Sequence, residues 1–161
     1  MSGVFLYLGM HSKNFRPIPA QVKDIRKYLI GEIDRLFSLY VRQFHANDFG
    51  ICYCATCGKM LHWRKIQTGH YMSRRYFATR WNFKNVGPQC AGCNAFGKRR
   101  LSGVPGEGGE MAAWIDAQYG PDTAALLRRQ SKMLAKWTIT EMQILRAELY
   151  QKLEQNKYEV K

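Results

Sequence analysis

After Pro17 and Pro19, apolar residues return every three or four positions at Ile25, Leu29, Ile33, Leu36, Phe37, Tyr40 and Phe44. That period predicts a long helix buried along one face, led in by the prolines and ended by Asn47, Asp48 and Gly50. From Ile51 to Asn85 the pattern breaks into short segments rich in Tyr, Trp, Phe and Thr, separated by Gly and Ser, which predicts small strands and turns. Cys90 to Arg100 tolerates a helix, whereas Ser102 to Gly109 holds four glycines and a proline in eight residues and predicts a loop or hinge. Three helical pieces follow. Glu110 to Tyr119 is closed by Gly120 and Pro121, and Asp122 is expected to cap a second piece running to about Lys132. Thr138 and Glu141 make a capping-box signature, with Met142, Leu145, Leu149 and Leu153 as the buried stripe of the third. The expectation is an α+β chain, mostly α, forming one compact domain overall. Its parts are an N-terminal segment and long helix (1–48), a small core (49–106) and a helical cap (107–161).

Length and composition narrow the class. The chain has 161 residues, of which 46% are hydrophobic, so it holds a core and is neither disordered nor two large domains. No apolar run approaches a membrane span, and Val4 to Met10 lacks the flanks of a secretory signal, so a cytoplasmic protein is expected. Lys and Arg number 25 against 12 Asp and Glu, a net charge of +13. The excess is concentrated: between Phe49 and Gly106 there are ten basic residues and not one carboxylate in 58 positions. A run of charge is commonly just a solvated face. The complete lack of acid favours a nucleic-acid surface instead, because each carboxylate would oppose phosphate. The candidate DNA-contacting residues are Arg64, Lys65, Arg74, Arg75, Arg80, Lys84, Lys98, Arg99 and Arg100.

The same segment holds all five cysteines. Cys54-Ala-Thr-Cys57 and Cys90-Ala-Gly-Cys93 are two C-x-x-C pairs 32 residues apart, each beside a glycine. A two-residue spacer lets both thiolates of a pair reach one ion, and two pairs complete a tetrahedral structural Zn2+ site. A lone pair would read equally well as a redox dithiol. Cys52 offers a rival ligand but lacks the spacing, and is read as a buried or free thiol. So short a stretch, poor in aliphatic side chains, would scarcely fold without its metal.

Three polar features accompany the knuckles: His70 in Gly69-His70-Tyr71, Asn85 five residues before Cys90, and Asn94 directly after Cys93 with Lys98 one helical turn on. The run from Cys54 to Lys98 resembles the double-knuckle HNH, or His-Me finger, nucleases. It is similar above all to the NinG (Rap) recombination endonucleases of lambdoid phages. The shared elements are Cys-x-x-Cys57-Gly58, Gly69-His70-Tyr71, Arg80-Trp-Asn82 with Asn85, and Gln89-Cys90-x-x-Cys93-Asn94. The likeness continues through Tyr119-Gly120, Lys136-Trp137-Thr138 and the Tyr150 to Leu153 helix end, so it covers about Leu36 to Leu153.

The resemblance implies a zinc-stapled ββα unit flanked by the helices, in a phage enzyme that nicks branched recombination intermediates such as Holliday junctions and D-loops in the host cytoplasm. It implies His70 as general base, Asn94 as ligand of a catalytic Mg2+ or Mn2+, and Asn85 as the residue that holds His70 in place. Lys98, or one of Arg74, Arg75 and Arg80, is left to stabilise the phosphate. The chemistry agrees: a neutral imidazole accepts a proton near pH 7, and one divalent ion suffices to carry charge on a departing oxygen. Against these stand blander readings. His62 is a surface residue or a neighbour of a metal ligand, and Asn94 could cap a helix beginning at Ala95.

The sequence departs from the pattern at Gly69, where many relatives carry an Asp or His as a second metal ligand. Gln67 is the nearest substitute. Asp48, Glu107 and Glu110 are the nearest carboxylates. The expected catalytic ion is therefore weakly held and recruited with DNA phosphate. Paired nicks across a twofold junction lead to an expected homodimer, through the N-terminal helix or Val4 to Met10. A non-catalytic zinc DNA-binding module, an HNH enzyme acting on ordinary duplex DNA, and an RNA-binding ribbon are the rival readings.

Overall fold

A computed structural model describes residues 15–94 and 109–156. The described chain is mostly helical with two small antiparallel sheets, and it divides into two compact units. The expectations for Lys98, Arg99, Arg100, Glu107 and the Val4 to Met10 segment fall outside the described residues.

The first unit comprises residues 1–40 and 137–161. Helix α1, Ile25–Phe44, begins here, and its last four residues belong to the second unit. The Asp24 carboxylate accepts the Lys27 N–H at 2.9 Å, a start signal that the apolar stripe alone did not give. Leu29, Ile33, Leu36 and Phe37 are buried as the period predicts. The C-terminal helix of this unit, Ile139–Gln155, opens on the expected capping box. Thr138 Oγ1 accepts the Glu141 N–H at 3.2 Å, and Glu141 Oε2 accepts the Thr138 N–H at 2.7 Å. Met142, Leu149 and Leu153 are buried as expected. The stripe did not foretell Arg146, which is 3% exposed. Its guanidinium lies over the rings of Phe15 and Tyr150, donates to the Arg16 carbonyl, and stands 3.8 Å from Glu32. Glu32 also accepts from Tyr150 and Arg35, so the buried cation has a well-satisfied anion beside it as well as two aromatic faces.

The second unit, Val41–Lys136, carries the cysteines and the sheets. Asn47 Oδ1 accepts the N–H groups of both Phe49 and Ile51 at 3.0 Å, turning the chain out of α1. Strands β1 (Ile51–Tyr53) and β2 (Met60–His62) form a hairpin with Cys52 opposite Leu61. Strands β3 (Gln67–His70) and β4 (Val86–Gln89) form a second, with Gln67 opposite Gln89 and Gly69 opposite Gly87. A short helix α2, Ala91–Asn94, follows β4 and packs on β3. Helices α3 (Gly109–Tyr119) and α4 (Thr123–Ser131) then close over Tyr71 and Met72 through Met111, Ile115, Ala124 and Leu127. The last helix, Ile139–Gln155 of the first unit, is α5.

One local expectation is corrected. Asp122 occupies the position before α4 but makes no side-chain cap, because its φ of +63° turns the carboxylate away. Asp116, on α3, does that work, accepting the Ala124 N–H at 2.8 Å. Asn94 is the last residue of α2, its own N–H bonded to the Cys90 carbonyl at 2.9 Å, and the helix expected to begin at Ala95 falls outside the described residues. Among the described residues, no helix is long and apolar enough to cross a membrane.

Candidate functional site

The first knuckle is the β1–β2 turn. Cys54 leaves β1, its N–H bonded to the Lys59 carbonyl at 2.9 Å, and the Gly58 N–H returns to the Cys54 carbonyl at 2.9 Å. Gly58 has φ of +72°, the left-handed conformation that glycine adopts without strain. The second knuckle is the β4–α2 junction, where the Cys93 N–H meets the Cys90 carbonyl at 3.1 Å. The Ala55 N–H donates to the Pro88 carbonyl at 2.7 Å and joins the two knuckles.

As a result the sulfurs of Cys54, Cys57, Cys90 and Cys93 lie within 4.8 Å of one another, positioned to hold one metal ion. The Cys57 and Cys90 sulfurs are 3.8 Å apart. A tetrahedron with Zn–S bonds of about 2.3 Å has an edge of about 3.8 Å, so the donor set fits structural zinc. Protonation behaviour agrees with a site built for a cation. Burial pushes the Cys54 thiol up, but N–H groups of Cys90, Cys57 and Thr56 outweigh it and leave it at about 7. Cys93 is pushed far up, by burial first and then by the neighbouring sulfurs. A bound cation would relieve that crowding and draw the protons off. Cys52 stands apart. Its buried thiol donates to the Arg42 carbonyl at 3.2 Å and is pushed up to about 11 by desolvation.

Beside the cysteines, β3, α2 and the start of the loop 71–85 enclose a cleft of about 160 Å³. Thr68, His70, Ser73, Arg74, Gln89, Cys93 and Asn94 line it. His70 Nε2 lies 3.0 Å from the Arg80 carbonyl oxygen. A carbonyl cannot donate, so the neutral ring carries its proton on Nε2 and keeps its lone pair on Nδ1. Asn94 Nδ2 donates to Gln67 Oε1 at 2.8 Å, which orients the amide and engages the oxygen that Gln67 would have offered to a metal. Asn85 does not line the cleft. It is fully buried, accepting the Met72 N–H at 2.8 Å and donating to the Met72 and Thr79 carbonyls at 2.9 and 3.0 Å. It therefore staples the loop that leaves His70.

Gly69 has a steric reason. A Cβ there would sit 1.8 Å from Gln89 Oε1, so the Gln89 amide fills the space that a side chain at position 69 would enter. Gln89 Nε2 is anchored on Thr56 Oγ1 at 2.6 Å. Among the described residues no carboxylate lines the cleft, and Glu110 lies on α3 outside the lining. Neutral oxygen donors such as Asn94 fit a hard divalent ion, though weakly, when phosphate oxygens complete the shell.

Of the candidate basic residues, Arg74 is exposed and reaches the cleft. Arg80 lies over the rings of Phe77 and Trp81 and donates to the Arg74 carbonyl at 2.6 Å, holding the loop that presents Arg74. Arg75 and Arg64 are exposed and lie over Tyr76 and Trp63, while Lys65 and Lys84 are exposed outside the lining. His62 accepts the Arg64 N–H at 3.2 Å and takes no part in the cleft. Ser73 and Gln89 had not been singled out for roles. Only the β3–β4 register, with Gln89 facing Gln67, brings the latter forward.

The family model described as Bacteriophage Lambda NinG protein matches residues 12–159. No curated protein and no solved structure matches the chain.

Proposed function

The chain belongs to the bacteriophage lambda NinG family, and from that premise we propose that it serves phage recombination as a metal-dependent endonuclease that nicks branched DNA. The observation that carries the reading is the His70 ring, its Nε2 proton given to the Arg80 carbonyl, in one cleft with Asn94 and Arg74. The hairpin β3–β4 followed by α2, with the cysteine cluster beside it, supports reading this unit as the ββα arrangement of a His-Me finger.

In this mechanism His70 Nδ1 takes the proton of the attacking water as that water approaches phosphorus. The resulting imidazolium is stabilised by the same Arg80 carbonyl, which faces the Nε2 proton throughout. Asn94 would hold a Mg2+ or Mn2+ ion through its amide oxygen, and that ion supplies positive charge for the leaving 3′ oxygen. Arg74 neutralises the phosphate as charge builds on it. Asn85 acts through position alone, fixing the backbone on both sides of the loop 72–79. A junction of twofold character needs two such clefts, so a homodimer is the expected cutting form.

The test is Mg2+- or Mn2+-dependent nicking of a synthetic four-way junction and of linear duplex, wild type against His70→Ala. Junction nicking should fall by at least about a hundredfold in the variant while junction binding persists. Equal cleavage of linear duplex reassigns the substrate, and absence of nicking with either ion leaves a zinc-binding DNA-binding protein.

A further inference from the structure

Among the described residues, the outer face of the β1–β2 hairpin presents an exposed apolar pair. Strand alternation sends Cys52 inward and Tyr53 outward, and the register sets Tyr53 directly opposite Met60. Tyr53 is 56% exposed and Met60 62%. Phe49, two residues before β1, is 86% exposed. Large side chains of this kind are costly to leave in water, and a cross-strand pair of them makes a continuous patch rather than scattered singles. The patch is also rigid, since the turn beneath it is the first zinc knuckle, closed by its own backbone hydrogen bonds.

We propose that this face, Tyr53 and Met60 with Phe49 beside them, is a stacking platform for unpaired bases of a DNA strand. It deepens the reading of the chain as a protein of branched DNA, on which it rests, but does not require cleavage. The charge around the patch selects the occupant. Lys59 precedes Met60 in the chain, Arg64 and Lys65 follow β2, all three are exposed, and no Asp or Glu occurs from Phe49 to Gly106. A second copy of the chain seated here would bring two carboxylate-free basic segments together. A nucleic acid strand offers phosphates to the lysines and arginines and an aromatic face to the ring. Duplex DNA cannot use the platform, because its bases are already stacked on each other. Unpaired bases can, and branch points and displaced strands are where they occur. The knuckle would thus mark the open part of the substrate while the cleft acts on its backbone.

The experiment uses the full-length, zinc-loaded protein without added divalent ions. Affinities for a labelled oligo-dT 20-mer and for blunt duplex of the same length are compared across wild type, Tyr53→Phe, Tyr53→Ala and Tyr53→Ala/Phe49→Ala. Tyr53→Ala should weaken oligo-dT binding by about 5- to 100-fold and duplex binding less than about twofold, with Tyr53→Phe close to wild type. A single-stranded probe carrying 2-aminopurine should be quenched by wild type and Tyr53→Phe but not by Tyr53→Ala. Zinc content and melting temperature equal to wild type establish that the variants are folded. Equal losses on both DNAs, or unchanged oligo-dT affinity in the double variant, overturn the proposal. So does a wild-type dimer that Tyr53→Ala dissociates, which would make the face a contact between copies. The two readings fail separately: loss of the Tyr53 effect with junction nicking intact sinks the platform alone, and a Tyr53 effect without any nicking sinks the nuclease alone.

Discussion

Replacing Asn85 with alanine removes three hydrogen bonds at a fully buried position and leaves their partners behind: the Met72 N–H and the Met72 and Thr79 carbonyls. Each buried backbone group left without a partner costs about 1–3 kcal/mol, less where water enters, so the net loss is roughly 3–5 kcal/mol. Against a total stability of about 5–15 kcal/mol for a domain, that is a large share. The Asn85 backbone carbonyl still accepts the Tyr71 N–H at 2.9 Å in the variant, which supplies an internal reference. Guanidinium titration of the zinc-loaded protein should show the loss, and amide exchange should rise at Met72 by more than at Tyr71. Zinc content should stay stoichiometric, because none of these bonds involves a cysteine. Asn85→Asp probes the same geometry through pH. A carboxylate can still accept from Met72 but faces two carbonyls with no proton to give, so its folded pKa lies above the ordinary carboxylate value. Its stability is then fully present below about pH 4 and falls as pH rises. A loss under about 1 kcal/mol for Asn85→Ala, with unchanged exchange at Met72, would refute the claim that this side chain holds the loop.

Three further outcomes follow from the geometry. Serine at Cys54, Cys57, Cys90 or Cys93 should abolish stoichiometric zinc and unfold the second unit, whereas Cys52→Ser should keep one zinc per chain by metal analysis, since its thiol points to the Arg42 carbonyl. His45 is half-buried beside the rings of Phe44, Phe83 and Trp114, and desolvation pushes it down to about 4 from 6.5. Its neutral form contributes up to roughly 3 kcal/mol above pH 6.5, lost as pH falls toward 4, so denaturation curves of His45→Phe should be flatter than wild type across that window. Gly69→Asp should destabilise by about 1–3 kcal/mol through collision with the Gln89 amide. Adding Gln89→Ala should recover much of that loss in a double-mutant cycle and tighten Mn2+ binding in the absence of DNA.

What could be read from the chain was what is local in it. The stripe from Leu29 to Phe37 follows helical period and is buried accordingly, and the Thr138–Glu141 box depends on residues three apart. The cluster of four sulfurs positioned to hold a metal ion was legible because a two-residue spacer already sets two of them side by side, and the fold needs only to bring the pairs together. What escaped depends on contacts across the second unit. Asp122 carries the right residue type at the right position, yet its backbone conformation hands the cap to Asp116 on the preceding helix. The His70 tautomer is set by a carbonyl ten residues away in an irregular loop. Gln89 over Gly69 is a diagonal neighbour across a ladder whose register no local pattern specifies.

That diagonal bears on why the segment lacks carboxylates. Four thiolates on Zn2+ carry a net charge of about −2, and Cys93, one of the four, lines the same cleft as His70 and Asn94. A phosphate entering there meets negative charge before it meets any ligand. An Asp at position 69 would add to that repulsion, while the Gln89 amide filling the same space adds none. With ten basic residues and no acid from Phe49 to Gly106, Arg74 among them at the cleft, the zinc-thiolate charge is offset from within the segment. On this view the weak, neutral donor set is the consequence of putting a tetrathiolate staple beside a phosphate site. Divalent-ion affinity should then rise steeply once DNA phosphate joins the shell. A metal titration by calorimetry, with and without a non-cleaved phosphorothioate junction, should show at least about tenfold tighter binding in its presence; equal affinities would leave the missing carboxylates without this explanation.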